Sequence, residues 1–171
     1  MKIWLFQTGE PLHSDQNNPR PMRVMNLANK LIESGHNVVV WSSAFHHQSK
    51  THRSISYQCI KISDHLEIRL IPSPGYKKNI SFSRFYDHLI LAKNFQKYLR
   101  YSQNIPDVAF VGYPPIEVAY FVSCWLKQQK IPFLIDVKDQ WPDIIVNSFP
   151  EKIRFFAKIL LFPYYVLAKK S

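Results

Sequence analysis

The sequence predicts an α/β fold, an open and mainly parallel sheet with helices on both faces and an inserted β-hairpin. Three observations carry that expectation. Short continuous apolar runs, of the kind a strand covered on both faces needs, alternate with longer segments of helical periodicity. One stretch instead alternates residue by residue, as an antiparallel pair does. With 171 residues, 46% of them hydrophobic and 20% charged, the chain is long enough for one core and too apolar to remain disordered.

Lys2 to Gln7 reads as a buried first strand, followed by Thr8-Gly9 and a long polar loop to Asn18. Asn18-Pro19 is expected to start a helix, with Asn as cap and Pro at the first helical position. Met22, Met25, Leu27, Ala28, Leu31 and Ile32 then recur at helical spacing until Ser34-Gly35 ends it. Val38 to Trp41 is a second buried strand, so strand, helix and strand arrive as a parallel crossover unit. A polar, His-bearing segment from Ser43 to Ser54 precedes two alternating runs, Tyr57–Ile62 and Leu66–Ile71, which flank Ser63-Asp64-His65 as a hairpin.

Ser81-Phe82-Ser83 opens a helix to about Arg100, with Phe85, Leu89, Ala92, Phe95 and Leu99 expected on its buried face. Asp107 to Gly112 is a third buried strand, Pro115 to Lys127 a helix begun at Pro, and Phe133 to Val137 a fourth parallel strand. This order is that of a Rossmann-like sheet over residues 1–150. Residues 151–171 form an amphipathic, then largely apolar, tail helix. Broken by Pro163, its apolar run is well short of the roughly 20 residues of a membrane span.

Lys and Arg number 22 against 12 Asp and Glu, a formal charge of +10, which suits partners bearing phosphate. No nucleic-acid module is recognisable, so anionic lipid and sugar phosphates are preferred to nucleic acid. Cys59 and Cys124 lack the spacing of a metal or redox motif and are read as reduced core residues, which points to an intracellular compartment. No export signal follows Met1-Lys2. The first strand-to-helix turn offers Gly9 alone, which excludes the glycine fingerprint of nicotinamide and flavin enzymes, and no P-loop segment exists. His46, His47 and His52 lie in a polar loop with no carboxylate or Cys at ligand spacing, so neither metal nor cofactor is expected.

Ligands of open α/β sheets sit at the carboxyl ends of strands, which directs attention to three segments. In the first loop, Gly9 and Glu10 precede Arg20 and Arg23 at the start of a helix. Cations are unfavourable there by about 0.3–1 kcal/mol each unless an anion binds or Glu10 or Asp15 folds back to pair with them. After the third strand come Tyr113 and Pro114. After the fourth, Asp136, Lys138, Asp139 and Trp141 place carboxylates, a cation and an aromatic plate on one rim. Sugars suit such a mixture, because carboxylates accept hydroxyl hydrogen bonds and Trp offers an apolar ring face. The alternative is an Asp that caps the next helix and a Trp in the core.

The long loop followed by RPMRVMNLANKLIESGHNVVV, then GYPP before a helix, then PFLIDVKDQWP, resembles the N-terminal half of a bacterial GT-B glycosyltransferase of family 4, in the subgroup similar to fucosamine transferases of surface-polysaccharide assembly. The likeness spans most of Met1 to Pro142. It implies a retaining transferase at the cytoplasmic face of the inner membrane, which moves a sugar from a nucleotide-sugar donor to a lipid-linked saccharide acceptor. This half would bind the acceptor, and a C-terminal donor domain, absent from these 171 residues, would hold the nucleotide, so the chain alone is expected to be inactive. The resemblance also implies that Asp136 stands at an acceptor-contacting position and that Asp139 and Trp141 belong to the subgroup's motif, with Asp136 and Asp139 as the candidate catalytic carboxylates that would polarise an acceptor hydroxyl. It places Gly9 and Glu10 on the inter-domain cleft and Arg23 at the family's basic position near the first helix. Lys138 replaces the usual Arg, keeping charge without the bidentate fork. The tail, with Lys152, Arg154, Lys158, Lys169 and Lys170 among large aromatics, suits either an anionic membrane or a covering role on the sheet or second domain. The competing class is a stand-alone binding or scaffold module that docks on a membrane or on a catalytic subunit.

Overall fold

In a computed structural model, which describes residues 1–16, 19–138, 143–148, 150–162 and 165–166, the first strand is central. It is β1 (Lys2–Phe6), paired in parallel with β2 (Asn37–Ser43) on one side and β7 (Val108–Tyr113) on the other. β6 (Leu66–Ile71) adds in parallel beyond β2, and β5 (Gln58–Ser63) closes that edge as the antiparallel arm of the expected hairpin. β8 (Phe133–Val137) forms the opposite edge, giving the order β5-β6-β2-β1-β7-β8. This is the expected Rossmann-like α/β sheet, and the chain reverses its direction of travel across it between β1 and β7. The His-bearing segment adds a short antiparallel pair, β3 (Phe45–His46) and β4 (Thr51–His52).

The alternation of side chains along each strand divides the core. Ile3, Leu5, Val38, Val40, Leu66 and Ile68 face helix α1 (Arg23–Glu33) and Leu12 of the long loop. Trp4, Phe6, Val39 and Trp41 face α2 (Phe82–Arg100) and α3 (Ile116–Gln128). There Trp4 stacks on Trp125 at 5.7 Å between centroids and meets Trp41 at 5.0 Å. Aromatic groups of that size dominate core burial. After β8 comes α4 (Asp143–Ser148), and the tail starts as α5 (Glu151–Leu160). No described helix is long and apolar enough to cross a membrane.

Several local expectations are corrected. α1 starts at Arg23 rather than Pro19, because Pro21 disfavours helical backbone at Arg20; Asn18 lies outside the described residues. Met22 is exposed before the helix. On α2, Leu89 is exposed while His88 takes the inward position beside Leu91, Ala92, Phe95 and Leu99. Cys59 lies exposed on β5, and Cys124 is half-buried on α3, so both are free but neither is a core residue. β8 is an exposed edge strand, with Leu134 and Val137 open.

Candidate functional site

A cavity of about 240 Å³ lies at the carboxyl ends of β1, β2, β7 and β8, over the point where the sheet changes direction. Gln7 to Glu10 enter it from β1, Ser43 from β2, Pro114 and Pro115 from β7, and Lys138 from β8. Phe45, His47 and Tyr76 form a second wall, and Arg84, Asp87, His88 and Leu91 of α2 complete it.

The first wall is held by a carboxylate. Glu10 is buried, accepts a hydrogen bond from the Val24 backbone N–H at 2.8 Å and is paired with Lys138 Nζ. α1 has no capping side chain of its own at Met22, so a loop residue thirteen positions before the helix satisfies one of its orphan donors. Gln7 Oε1 accepts from the N–H groups of Thr8 (2.8 Å) and Gly9 (3.1 Å), which closes the turn after β1. Farther along, Arg53 clamps Asp15 through Nε (2.6 Å) and Nη2 (2.7 Å), and donates to the Glu10 carbonyl at 3.1 Å. Burial opposes ionisation of Asp15, but the hydrogen bonds from Arg53 and the Leu12 N–H, with the charge of Arg53, outweigh it and hold the carboxyl below its ordinary range.

The second wall is aromatic and cationic. The Tyr76 hydroxyl is hydrogen-bonded to His47 Nδ1, while Lys50 Nζ sits 4.6 Å from the Tyr76 ring centroid and the Arg84 guanidinium 5.6 Å from it. Burial first, then the charges of Lys50 and Arg84, push the His47 imidazole down to about 4. Asp87 is spent on the fold, since its Oδ1 accepts from the Gly75 N–H at 2.6 Å. His88 has the buried Glu117 carboxylate behind it, 3.6 Å from Nδ1, and Glu117 Oε1 has no hydrogen-bond partner among the described residues. Glu117 stands in the first turn of α3, where the helix dipole favours a negative charge. A buried carboxylate behind a cavity-lining imidazole can orient that ring.

Of the residues singled out in the sequence, Gly9, Glu10, Pro114 and Lys138 line the cavity together. Asp136 and Arg23 are outside its lining, and the Arg23 guanidinium grips the Asp136 carboxylate. The counter-ion of Arg23 is Asp136 rather than the foreseen Glu10 or Asp15. Tyr113 is buried in the core beneath, its hydroxyl pushed up to about 12 by burial and by the charges of Glu117 and Asp143. Arg20 is exposed and outside the cavity lining. Asp139 and Trp141 lie outside the described residues. His47, Tyr76, Arg84 and His88 were not foreseen. The available signal was the spacing Arg84, Asp87, His88, Leu91, which sets polar groups on the inward side of an amphipathic helix. No group of three or more metal-ligating side chains occurs among the described residues. Compared with known proteins, the chain matches no protein-family model and no curated sequence.

Proposed function

We propose that this chain is the acceptor-side half of a retaining glycosyltransferase that moves a sugar from a nucleotide-sugar donor to a lipid-linked saccharide in surface-polysaccharide assembly at an anionic membrane face. One observation carries the reading: the cavity at the switch point of the sheet sets the rings of Phe45 and Tyr76 among polar groups from Gln7, Arg84, His88 and Lys138. Rings of a sugar pack on aromatic faces while their hydroxyls find donors and acceptors around the edge. His88, with Glu117 behind it, is suited to polarise an acceptor hydroxyl. Asp136, paired with Arg23, holds the rim where β8 meets α1. The donor nucleotide belongs to a second domain, so these residues bind acceptor without turnover.

Titration of a short-chain prenyl-diphosphate-linked monosaccharide, followed through backbone amide resonances, tests this. Saturable shifts at Thr8, Gly9 and Lys138 are expected, weakened tenfold or more by His88→Ala, with no comparable response to a nucleotide sugar alone. Response to the nucleotide sugar only, or none at these residues, overturns the reading. In the latter case the rival, a docking module, gains, and the exposed Phe155, Phe156, Ile159 and Phe162 of the tail favour it.

A further inference from the structure

α2 carries a second apolar stripe, on the side away from the core. Phe82, Tyr86 and Leu89 follow one another at helical spacing and are 89%, 59% and 42% exposed, with Ile80 just before the helix 75% exposed. At 100° per residue, Phe82, Tyr86, Leu89 and Lys93 fall on one line, opposite the buried His88, Leu91, Phe95 and Leu99. A helix buried on one side gains nothing for its own fold from large apolar groups on the other.

The exposed charges of the segment that carries the stripe have one sign. From Pro74 to Arg100 the charged residues are Lys77, Lys78, Arg84, Asp87, Lys93, Lys97 and Arg100. The single acid, Asp87, is buried and bonded to the Gly75 N–H, so the exposed charge is wholly positive. Large apolar groups bordered by lysines match a bilayer interface, where the apolar groups enter the headgroup boundary and the cations meet anionic lipid. A protein partner of complementary chemistry would need an acidic rim around an apolar groove; a membrane supplies both over any area.

The stripe shares turns of α2 with the cavity lining but lies on the opposite face of the helix. Arg84, Asp87, His88 and Leu91, on the same turns of α2, line the cavity, as does Tyr76 from the preceding loop. We infer that the Ile80–Lys93 face of α2 docks on an anionic membrane. The membrane contact stands on exposure and charge and is independent of the acceptor reading.

Co-sedimentation of the 171-residue chain with vesicles of phosphatidylcholine alone, or with 30% phosphatidylglycerol, tests it. The chain is expected to partition into the anionic vesicles, less at 0.5 M salt, and little into the neutral ones. Phe82→Ser/Leu89→Ser and Lys77→Glu/Lys78→Glu should each lower the partition coefficient tenfold or more, with circular dichroism unchanged because all four side chains are exposed. Phe155→Ser/Phe156→Ser on α5 serves as comparison. Partition unaffected by both α2 variants, whether or not the α5 variant matters, overturns the inference. Loss in the α2 variants supports it, even if the acceptor titration is negative, in which case only the acceptor reading falls.

Discussion

Glu10 joins three segments that are far apart in the chain. One carboxylate oxygen caps the Val24 N–H at the start of α1, and the other is paired with Lys138 beyond β8. Both partners are largely withdrawn from water, with side-chain exposures of 6% for Glu10 and 20% for Lys138. Removing one member of such a pair leaves the other charge uncompensated, and the cost exceeds the net worth of the intact pair. Glu10→Gln keeps an acceptor for Val24 but abandons Lys138, and should lower unfolding free energy by about 2–3 kcal/mol. Glu10→Ala also loses the cap and should cost about 1 kcal/mol more. Urea denaturation of the two variants measures both numbers, and equal losses would show that the capping bond contributes nothing.

At the scale of elements, the contact of β1 with β7 places the cavity, and Gly112 permits it. A Cβ built on Gly112 would stand 2.7 Å from Gln7 Nε2 and 3.0 Å from the Phe6 carbonyl oxygen. Gln7 has little room to retreat, since it is buried and its Oε1 holds the Thr8 and Gly9 amides. Gly112→Ala is therefore expected to destabilise by about 1–3 kcal/mol, the usual range for overpacking, and to shift the Thr8 and Gly9 amide resonances. A neutral substitution with those resonances unmoved would refute the close-approach argument. Hairpin β5–β6 and helix α2 were legible in the sequence because alternation and helical spacing are local. The starting point of α1 was less so: Pro19 is compatible with a first turn, yet Pro21 two residues later disfavours helical backbone at Arg20, and the compensating cap comes from Glu10 in a loop.

For the molecule as a whole, acid is the sensitive direction. Folding pushes the His47 imidazole from 6.5 down to about 4, so between those values the unfolded chain holds the extra proton. Its contribution is complete above pH 6.5 and is lost as pH falls toward 4. His46, also lowered, chiefly by burial, acts in the same sense. Asp15, held below its ordinary range, adds a loss that begins only near pH 4 and deepens below it. The net charge of +10 grows as histidines protonate, which adds self-repulsion. Urea midpoints at pH 7.5 and 4.5 should therefore differ in the wild type, and His47→Gln should narrow the difference. An undiminished difference in that variant would remove His47 as its source.

The sequence by itself determined the α/β class, the parallel sheet with its hairpin, and the strand ends at which Gly9, Glu10, Pro114 and Lys138 meet. Those features follow from periodicity and from chain reversal at Gly, Pro and Asp, which act over a few residues. Only the tertiary structure decided which charges pair: Glu10 with Lys138 across 128 positions, Arg23 with Asp136 across 113. It alone set His88 in front of Glu117 and turned Leu89 outward beside Phe82 and Tyr86. The physical reason is that burial and ion pairing depend on distance in space, and one helical position, 100° of rotation, separates a core residue from a surface one.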